Sequence, residues 1–146
     1  MSLTQQFKSD EKKIQNGVPV YYAANPDQTI PTFYISRAST ANKDYTKELR
    51  RTFKPHETAM RLKQLNDEKA GELLKQVFAK TVLRGWENVP KSDVTGNKED
   101  TGYSEFNVEN AMKLFENLPE LFEDLQAQSN DAALFRNEDL EANAKN

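Results

Sequence analysis

The sequence predicts a mainly α-helical fold: one small helical domain with a short N-terminal β-hairpin and a polar arm. Apolar residues recur at spacings of three and four along most of the chain, which is the period of an amphipathic helix. Strict alternation of apolar and polar residues is confined to positions 18–37. At 146 residues the chain suits a single core. We therefore expect a polar arm at 1–17 and one mainly helical domain at 18–146.

The first third of the chain contains the predicted arm and hairpin. Residues 1–17 are polar and end at Asn16–Gly17, a pair typical of turns. Residues 18–22 and 32–37 alternate and include β-branched and aromatic side chains, and Asn25, Pro26 and Asp27 between them favour a turn. This pattern predicts a β-hairpin near 18–37.

Helices are predicted near 42–53, 67–84, 107–117 and 119–136. Tyr45, Leu49 and Phe53 form a stripe at intervals of four in the first of these helices. Gly85 lies where the C-terminal cap glycine of the second helix is expected. The polar segment 90–102 is rich in turn-forming residues, and we expect a mobile surface loop there.

Two apolar helix faces flank that segment and need each other as cover. We therefore expect one buried group that combines the second helix, the residue after it and the third helix. Its predicted members are Leu74, Phe78, Trp86, Met112 and Phe115.

Residue types and spacing argue against catalysis and cofactor binding. Cysteine is absent and His56 is the only histidine, so the usual clusters of metal ligands and nucleophiles are missing. The five glycines are scattered and form no phosphate-binding loop. The acidic pairs Glu123–Asp124 and Glu138–Asp139 would diverge on a helix. We expect a non-enzymatic protein with no catalytic residue, no cofactor and no metal.

Neither a membrane span nor a secretion signal is indicated by the sequence. No apolar run approaches the roughly 18 residues that a span requires, and the first residues lack the apolar stretch of a signal peptide. We therefore expect no membrane association and a location in the cytoplasm of the cell that makes the protein.

Charge is distributed unevenly along the chain. Residues 1–86 contain 15 Lys and Arg against 9 Asp and Glu, whereas residues 87–146 contain 5 against 14. Such polarity can guide the encounter with another protein or with a second copy, although a merely solvated surface is equally compatible with it. The residues predicted to bind a partner are Lys47, Arg50, Arg51 and Lys54 in the basic half and Glu120, Glu123 and Asp124 in the acidic half.

Nucleic-acid binding is a competing interpretation of the basic stretch from Lys43 to Lys63. Basic residues interleaved with Tyr45 and Phe53 could follow a phosphate backbone. The two aromatic residues share the apolar helix stripe, however, and this favours a place in the core. Nucleic acid is therefore the less favoured partner.

Three stretches of the sequence resemble a known family. They are FYISRASTANKDYTKELRRTFKP at 33–55, VFAKTVLRGWENV at 77–89 and FNVENAMKLFENLPELFEDL at 106–125. Together they resemble the tail assembly chaperones of tailed bacteriophages, in which a helix leads into a Gly-Trp pair, a variable loop and a final helical segment. The matching residues are Gly85, Trp86, Glu109, Asn110, Ala111, Leu114, Pro119 and Leu121.

The resemblance spans residues 33–146 and implies a helical protein that binds the tape measure protein during tail assembly. Such a protein keeps long hydrophobic helices soluble and helps to recruit tail tube subunits. The arm and most of the aromatic hairpin lie outside the resemblance. A structural component of the virion, such as a connector, a decoration protein or a minor tail protein, remains the alternative. The expected partners are phage tail or other virion proteins, with a homo-oligomer also possible.

Overall fold

A computed structural model describes residues 2–137 and has a mainly helical fold, as the sequence predicts. Its helices are Leu3–Phe7 (α1), Glu11–Asn16 (α2), Lys43–Phe53 (α3), Glu57–Arg61 (α4), Asp67–Thr81 (α5), Lys91–Thr95 (α6), Val108–Asn117 (α7) and Pro119–Ser129 (α8). Its strands are Val18–Tyr21 (β1), Thr32–Ile35 (β2) and Leu83–Glu87 (β3). Short 3₁₀ turns follow α3 and α8, at Lys54–His56 and Ala132–Phe135.

The three strands form one antiparallel sheet in the order β1-β2-β3. Val18 pairs with Ile35 across β1 and β2, and Phe33 pairs with Trp86 across β2 and β3. Pro19 has no backbone N–H to donate, which suits its place on the edge strand β1. Gly17 enters β1 with a φ of 82°, and a Cβ there would lie 3.0 Å from the backbone nitrogen of Ile35. Only glycine fits that approach without strain.

Strand β3 corrects the prediction of a helix that continues to residue 84. Helix α5 ends at Thr81, Val82 is its C-cap residue, and Gly85 lies inside the strand opposite Tyr34. The apolar and aromatic residues of 82–86 suit a strand as well as a helix. Pairing with the second edge of β2 decides between the two structures, because it satisfies backbone groups that would otherwise stay unpaired.

The core lies between one face of the sheet and helices α5, α7 and α8. Phe78, Phe115 and Phe122 pack as an aromatic trio with ring centroids 5.1–5.9 Å apart. Trp86 is buried in the same core, as predicted, and Met112 packs partly against it. Leu74 is the incorrect member of the predicted buried group, since it is only partly buried and lies outside this core.

The segment predicted as a mobile loop contains helix α6, which begins after Pro90 and ends at Gly96 in the left-handed conformation. Val94, its buried side chain, is only 2% exposed and belongs to the core. One apolar residue in a polar segment is too weak a signal for sequence periodicity to detect, yet it fixes the segment to the core.

Helix α8 also ends earlier than predicted, at Ser129 rather than at 136. Asn130 ends the helix, and the Asp131 side chain accepts a hydrogen bond from the backbone N–H of Ala133 at the start of the next turn. Short polar side chains of this kind compete with helical hydrogen bonding and favour a new start.

The N-terminal segment packs against the end of the described chain. The backbone N–H of Asp10 donates to the carbonyl of Phe135 at 2.7 Å, and Lys13 Nζ donates to the carbonyl of Arg136 at 2.8 Å. The Ser36 hydroxyl donates to the carbonyl of Ile14 at 2.6 Å. These bonds hold residues 10–14 against the body of the protein.

Candidate protein-binding surface

Helix α3 presents the predicted basic residues, which we call the basic rim: Lys47, Arg50, Arg51 and Lys54. The helix begins at Asn42, whose Oδ1 accepts from the backbone N–H of Tyr45 at 3.2 Å. Asn42 Nδ2 also donates to the carbonyls of Arg37 and Thr81, at 3.0 and 2.9 Å. The cap therefore ties the start of α3 to the end of α5. The rim residues recur at a spacing of three and four along α3 and its C-terminal cap, so they share one exposed side.

Most acidic side chains near the basic rim are already paired within the chain. Glu48 Oε1 lies 3.2 Å from Arg51 Nη2 and 3.4 Å from Lys80 Nζ. The hydrogen bond with Arg51 is the main cause of the lowered pKa of Glu48. Asp44 lies 3.7 Å from Arg84. The stretch 43–63 contains seven Lys and Arg against three acidic residues. Its surface is consequently positive, with Arg51 the rim residue most compensated.

An open apolar groove of about 480 Å³ lies beside the basic rim. Helices α3, α4 and α5 form it, and almost all of its surface is apolar. The lining residues are Thr46, Leu49, Arg50, Phe53, Met60 and Leu74. Arg50 thus belongs to both the groove and the rim, which makes the two features one continuous surface.

The groove exists because two helices extend past the core at the same end. On α3, Tyr45 packs against the core, whereas Leu49 and Phe53, four and eight residues further on, line the groove. On α5, Val77 and Phe78 lie in the core and Leu74, about one turn earlier, lines the groove. On each helix the apolar stripe therefore extends beyond the part that the core covers.

The predicted acidic residues lie on α8, on a separate part of the surface. Glu120, Glu123 and Asp124 are all exposed. Asp124 accepts hydrogen bonds from the Tyr22 hydroxyl at 2.5 Å and from Gln128 Nε2 at 2.9 Å. Burial of the Tyr22 hydroxyl and its hydrogen bond with Asp124 raise the pKa of Tyr22 above its ordinary value. Asp124 is therefore engaged in hydrogen bonds within the chain.

The structure does not bring the basic and acidic sets together. Within residues 2–137, no ion pair joins the basic rim to the acidic residues of α8. The acidic pair Glu138–Asp139 lies outside the described residues. The two sets are separate surfaces within one chain.

Sequence reasoning identified the basic rim but missed the groove next to it. Phe53 was expected in the core and Leu74 in the group around Trp86, and both line the groove instead. A signal was nevertheless present in Met60 and Leu62, two large apolar residues in the short polar segment after Pro55. Met60 is 47% exposed and lines the groove, whereas Leu62 is 55% exposed and lies outside its lining.

The described part of the chain presents neither a metal site nor a spanning helix. Among residues 2–137, no group of three or more His, Asp or Glu side chains is placed to hold a metal ion. None of the helices in the same range combines the length and apolarity needed to cross a membrane.

Residues 40–146 match the model of a family described as YdaY prophage protein. No curated protein and no solved structure shows significant similarity to the chain. The matched region begins just before α3 and includes the groove and the basic rim, whereas α1, α2 and the first two strands precede it. The match indicates a phage-derived protein.

Proposed function

Because the chain belongs to the YdaY prophage protein family, we propose that it is a non-enzymatic phage assembly protein that binds another phage protein through its groove. The activity is binding alone, with no covalent chemistry. The main support for this proposal is the groove itself, in which four large apolar side chains from three helices face solvent beside a row of cations. Exposed apolar surface rimmed by polar residues is typical of protein-binding sites.

We further propose that the protein acts as a tail assembly chaperone whose partner is the tape measure protein. The likeness of residues 33–55, 77–89 and 106–125 to tail assembly chaperones supports this role. A groove of this kind can cover apolar side chains that would otherwise drive aggregation of a long helical protein. In this role the protein acts in the host cytoplasm, before the tail is complete.

Co-expression with the tape measure protein of the same prophage tests this role. The chain should raise the soluble fraction of the tape measure protein and co-purify with it. Met60→Glu places a charge in the groove and should abolish both effects. Ile30→Glu is the matched control, because Ile30 is also 47% exposed but lies outside the groove. Equal loss in both variants, or no effect of the wild-type chain, would exclude the chaperone role.

A structural component of the virion is the second candidate, and a second exposed apolar feature favours it. Leu3 and Phe7 on α1 are 74% and 71% exposed and, at a spacing of four, lie on one side of the helix. A protein that stays in the particle could bury this pair and the groove against two neighbours. Mass spectrometry of purified particles separates the candidates, since a chaperone is absent from them and a virion component is present in stoichiometric amounts.

A further inference from the structure

We propose that the occupant of the groove is an acidic amphipathic α-helix of a partner protein, packed closely against α5 at Gly71. The proposal rests on the proposed function in taking the groove as the binding site, and it adds the chemistry of the ligand. Three independent features define that chemistry: the charge of the rim, the shape of the groove and the glycine.

The charge of the rim selects an acidic ligand. Lys47, Arg50 and Lys54 follow one another at i, i+3 and i+7 and are exposed on one side of α3. Two of the three acids of the stretch 43–63, Asp44 and Glu48, are engaged in ion pairs within the chain. Carboxylates spaced along one flank of a docked helix would find this row of cations opposite them.

The shape of the groove selects a helix. Helix α3 contributes Leu49 and Phe53, which are about one helical turn apart, and α4 and α5 contribute Met60 and Leu74. A third helix with apolar residues at i, i+3 or i+4, and i+7 fills such a groove in the way recurrent helix-in-groove complexes do. A β-strand would need a free sheet edge, and the groove is formed by helices alone.

We place the closest approach at Gly71, three residues before Leu74 on α5 and just outside the lining of the groove. It lies in the interior of α5, where glycine destabilises a helix relative to alanine. A Cβ at this position would have no neighbouring atom within 4 Å, so packing in this chain does not require a glycine there. Gly71, Leu74 and Phe78 are spaced i, i+3 and i+7, which places Gly71 on the side of α5 whose stripe leaves the core. The missing side chain leaves room for the backbone of a partner helix.

A second copy of the chain offers a poorer ligand. Among residues 2–137, no helix combines an acidic flank with two large exposed apolar side chains. Helix α1 has the apolar pair Leu3 and Phe7 but carries no charge. At the corner before the acidic helix α8, Leu118 is the large apolar side chain that is exposed. These observations favour a partner protein as the occupant.

The test uses three synthetic helical peptides of equal length and the full chain. The first has Leu at i, i+3 and i+7 with Glu along one flank, the second has Lys in place of Glu, and the third has the first composition with its Leu positions permuted. Binding is measured by fluorescence anisotropy at low and physiological salt. The acidic peptide should bind, the permuted peptide should not, and the Lys peptide should bind about ten-fold more weakly, as expected when two or three surface ion pairs are lost.

The glycine is tested separately with Gly71→Ala. This variant should weaken binding of the acidic peptide by about ten-fold, a loss of about 1.4 kcal/mol, through the contact of one methyl group with the partner backbone. Gln76→Ala, further along the same helix, is the control and should leave the affinity unchanged. A thermal melt of each variant checks that it folds. Unchanged affinity in Gly71→Ala would refute the close approach.

Each remaining outcome contradicts a different claim. Equal binding of the Lys and acidic peptides would refute the acidic ligand, whereas solubilisation of the tape measure protein would still support the proposed function. Binding of the acidic peptide without any binding of the tape measure protein would refute the proposed function alone. If the chain self-associates and Met60→Glu abolishes this association, a second copy is the occupant. If a single-stranded oligonucleotide displaces the peptide, nucleic acid is the ligand.

Discussion

Replacement of Trp86 tests how the sheet and the segment after it are held together. Trp86 is 8% exposed, and its ring packs edge-on to Phe33 and Phe106, with centroids 5.9 and 5.2 Å away. Its Nε1–H donates to the carbonyl of Ser104 at 2.8 Å. Trp86→Ala should lower the free energy of unfolding by about 3–5 kcal/mol, as for other large aromatic residues in cores.

Trp86→Phe separates the two contributions of this side chain. The variant keeps most of the ring packing but loses the hydrogen bond and leaves the Ser104 carbonyl without its donor. The cost should be about 1 kcal/mol, the lower end of the penalty for a buried group without its partner, because the Ser104 carbonyl is only partly buried. Tyr21→Ala is the control on the same sheet, because Tyr21 is 67% exposed and should change stability by about 0.5 kcal/mol or less.

Urea unfolding followed by far-ultraviolet circular dichroism measures these changes. Trp86 is the only tryptophan, so its fluorescence cannot report on the variants. The transition midpoint should shift while the denaturant slope stays constant, which shows a change in stability rather than in compactness. A cost below about 1 kcal/mol for Trp86→Ala would refute the packing argument. Equal costs for both substitutions would show that the hydrogen bond, and not the ring contacts, dominates.

Three further sets of substitutions test the cap of α3, the glycine of α5 and the basic rim. Asn42→Ala should destabilise the protein by about 2–4 kcal/mol, since it removes a helix cap and two bonds to backbone carbonyls, and Asn42→Asp, which keeps the cap but places a carboxylate oxygen against those carbonyls, should cost at least as much in a urea titration. Gly71→Ala should raise the free energy of unfolding by about 0.5–1 kcal/mol, measured by thermal melting, and a lower melting temperature would show a constraint within the chain. Reversal of Arg50, Arg51 or Lys54 to Glu should change partner binding by about 0–1 kcal/mol each, but the triple reversal should weaken it strongly and reduce its salt dependence. If the triple variant still pulls down phage tail proteins at low salt, the uneven charge distribution of the chain serves solubility alone.

The sequence predicts those parts of the fold that depend on local signals. Helices α3 and α7 begin after Asn42 and Asn107, as their capping side chains indicate, and each continues for as long as its apolar stripe persists. Strand β3 could not be predicted in this way. The apolar residues of 82–86 fit either period, and the choice depends on β2, which lies about fifty residues earlier in the chain.

The candidate site was only partly predictable for a similar reason. The basic rim is visible as a row of Lys and Arg. The groove is not, because an apolar stripe does not show which part of it the core covers. Tyr45 and Phe53 belong to the same stripe, yet one packs against the core and the other lines the groove. That difference depends on where the core ends, which is a property of the tertiary structure.

The contact of residues 10–13 with residues 135–136 has a consequence for the order of folding. Strands β1 and β2 are close in sequence and can pair early, β3 follows about fifty residues later, and Lys13 meets Arg136 only across 123 residues. The contacts are therefore nested, and loop-closure entropy favours forming the inner ones first. During synthesis on the ribosome, the open edge of β2 has to wait for residues 83–87. Until they emerge, the nascent chain carries an unpaired edge that invites aggregation, so slow translation between the two strands should lower the yield of folded protein.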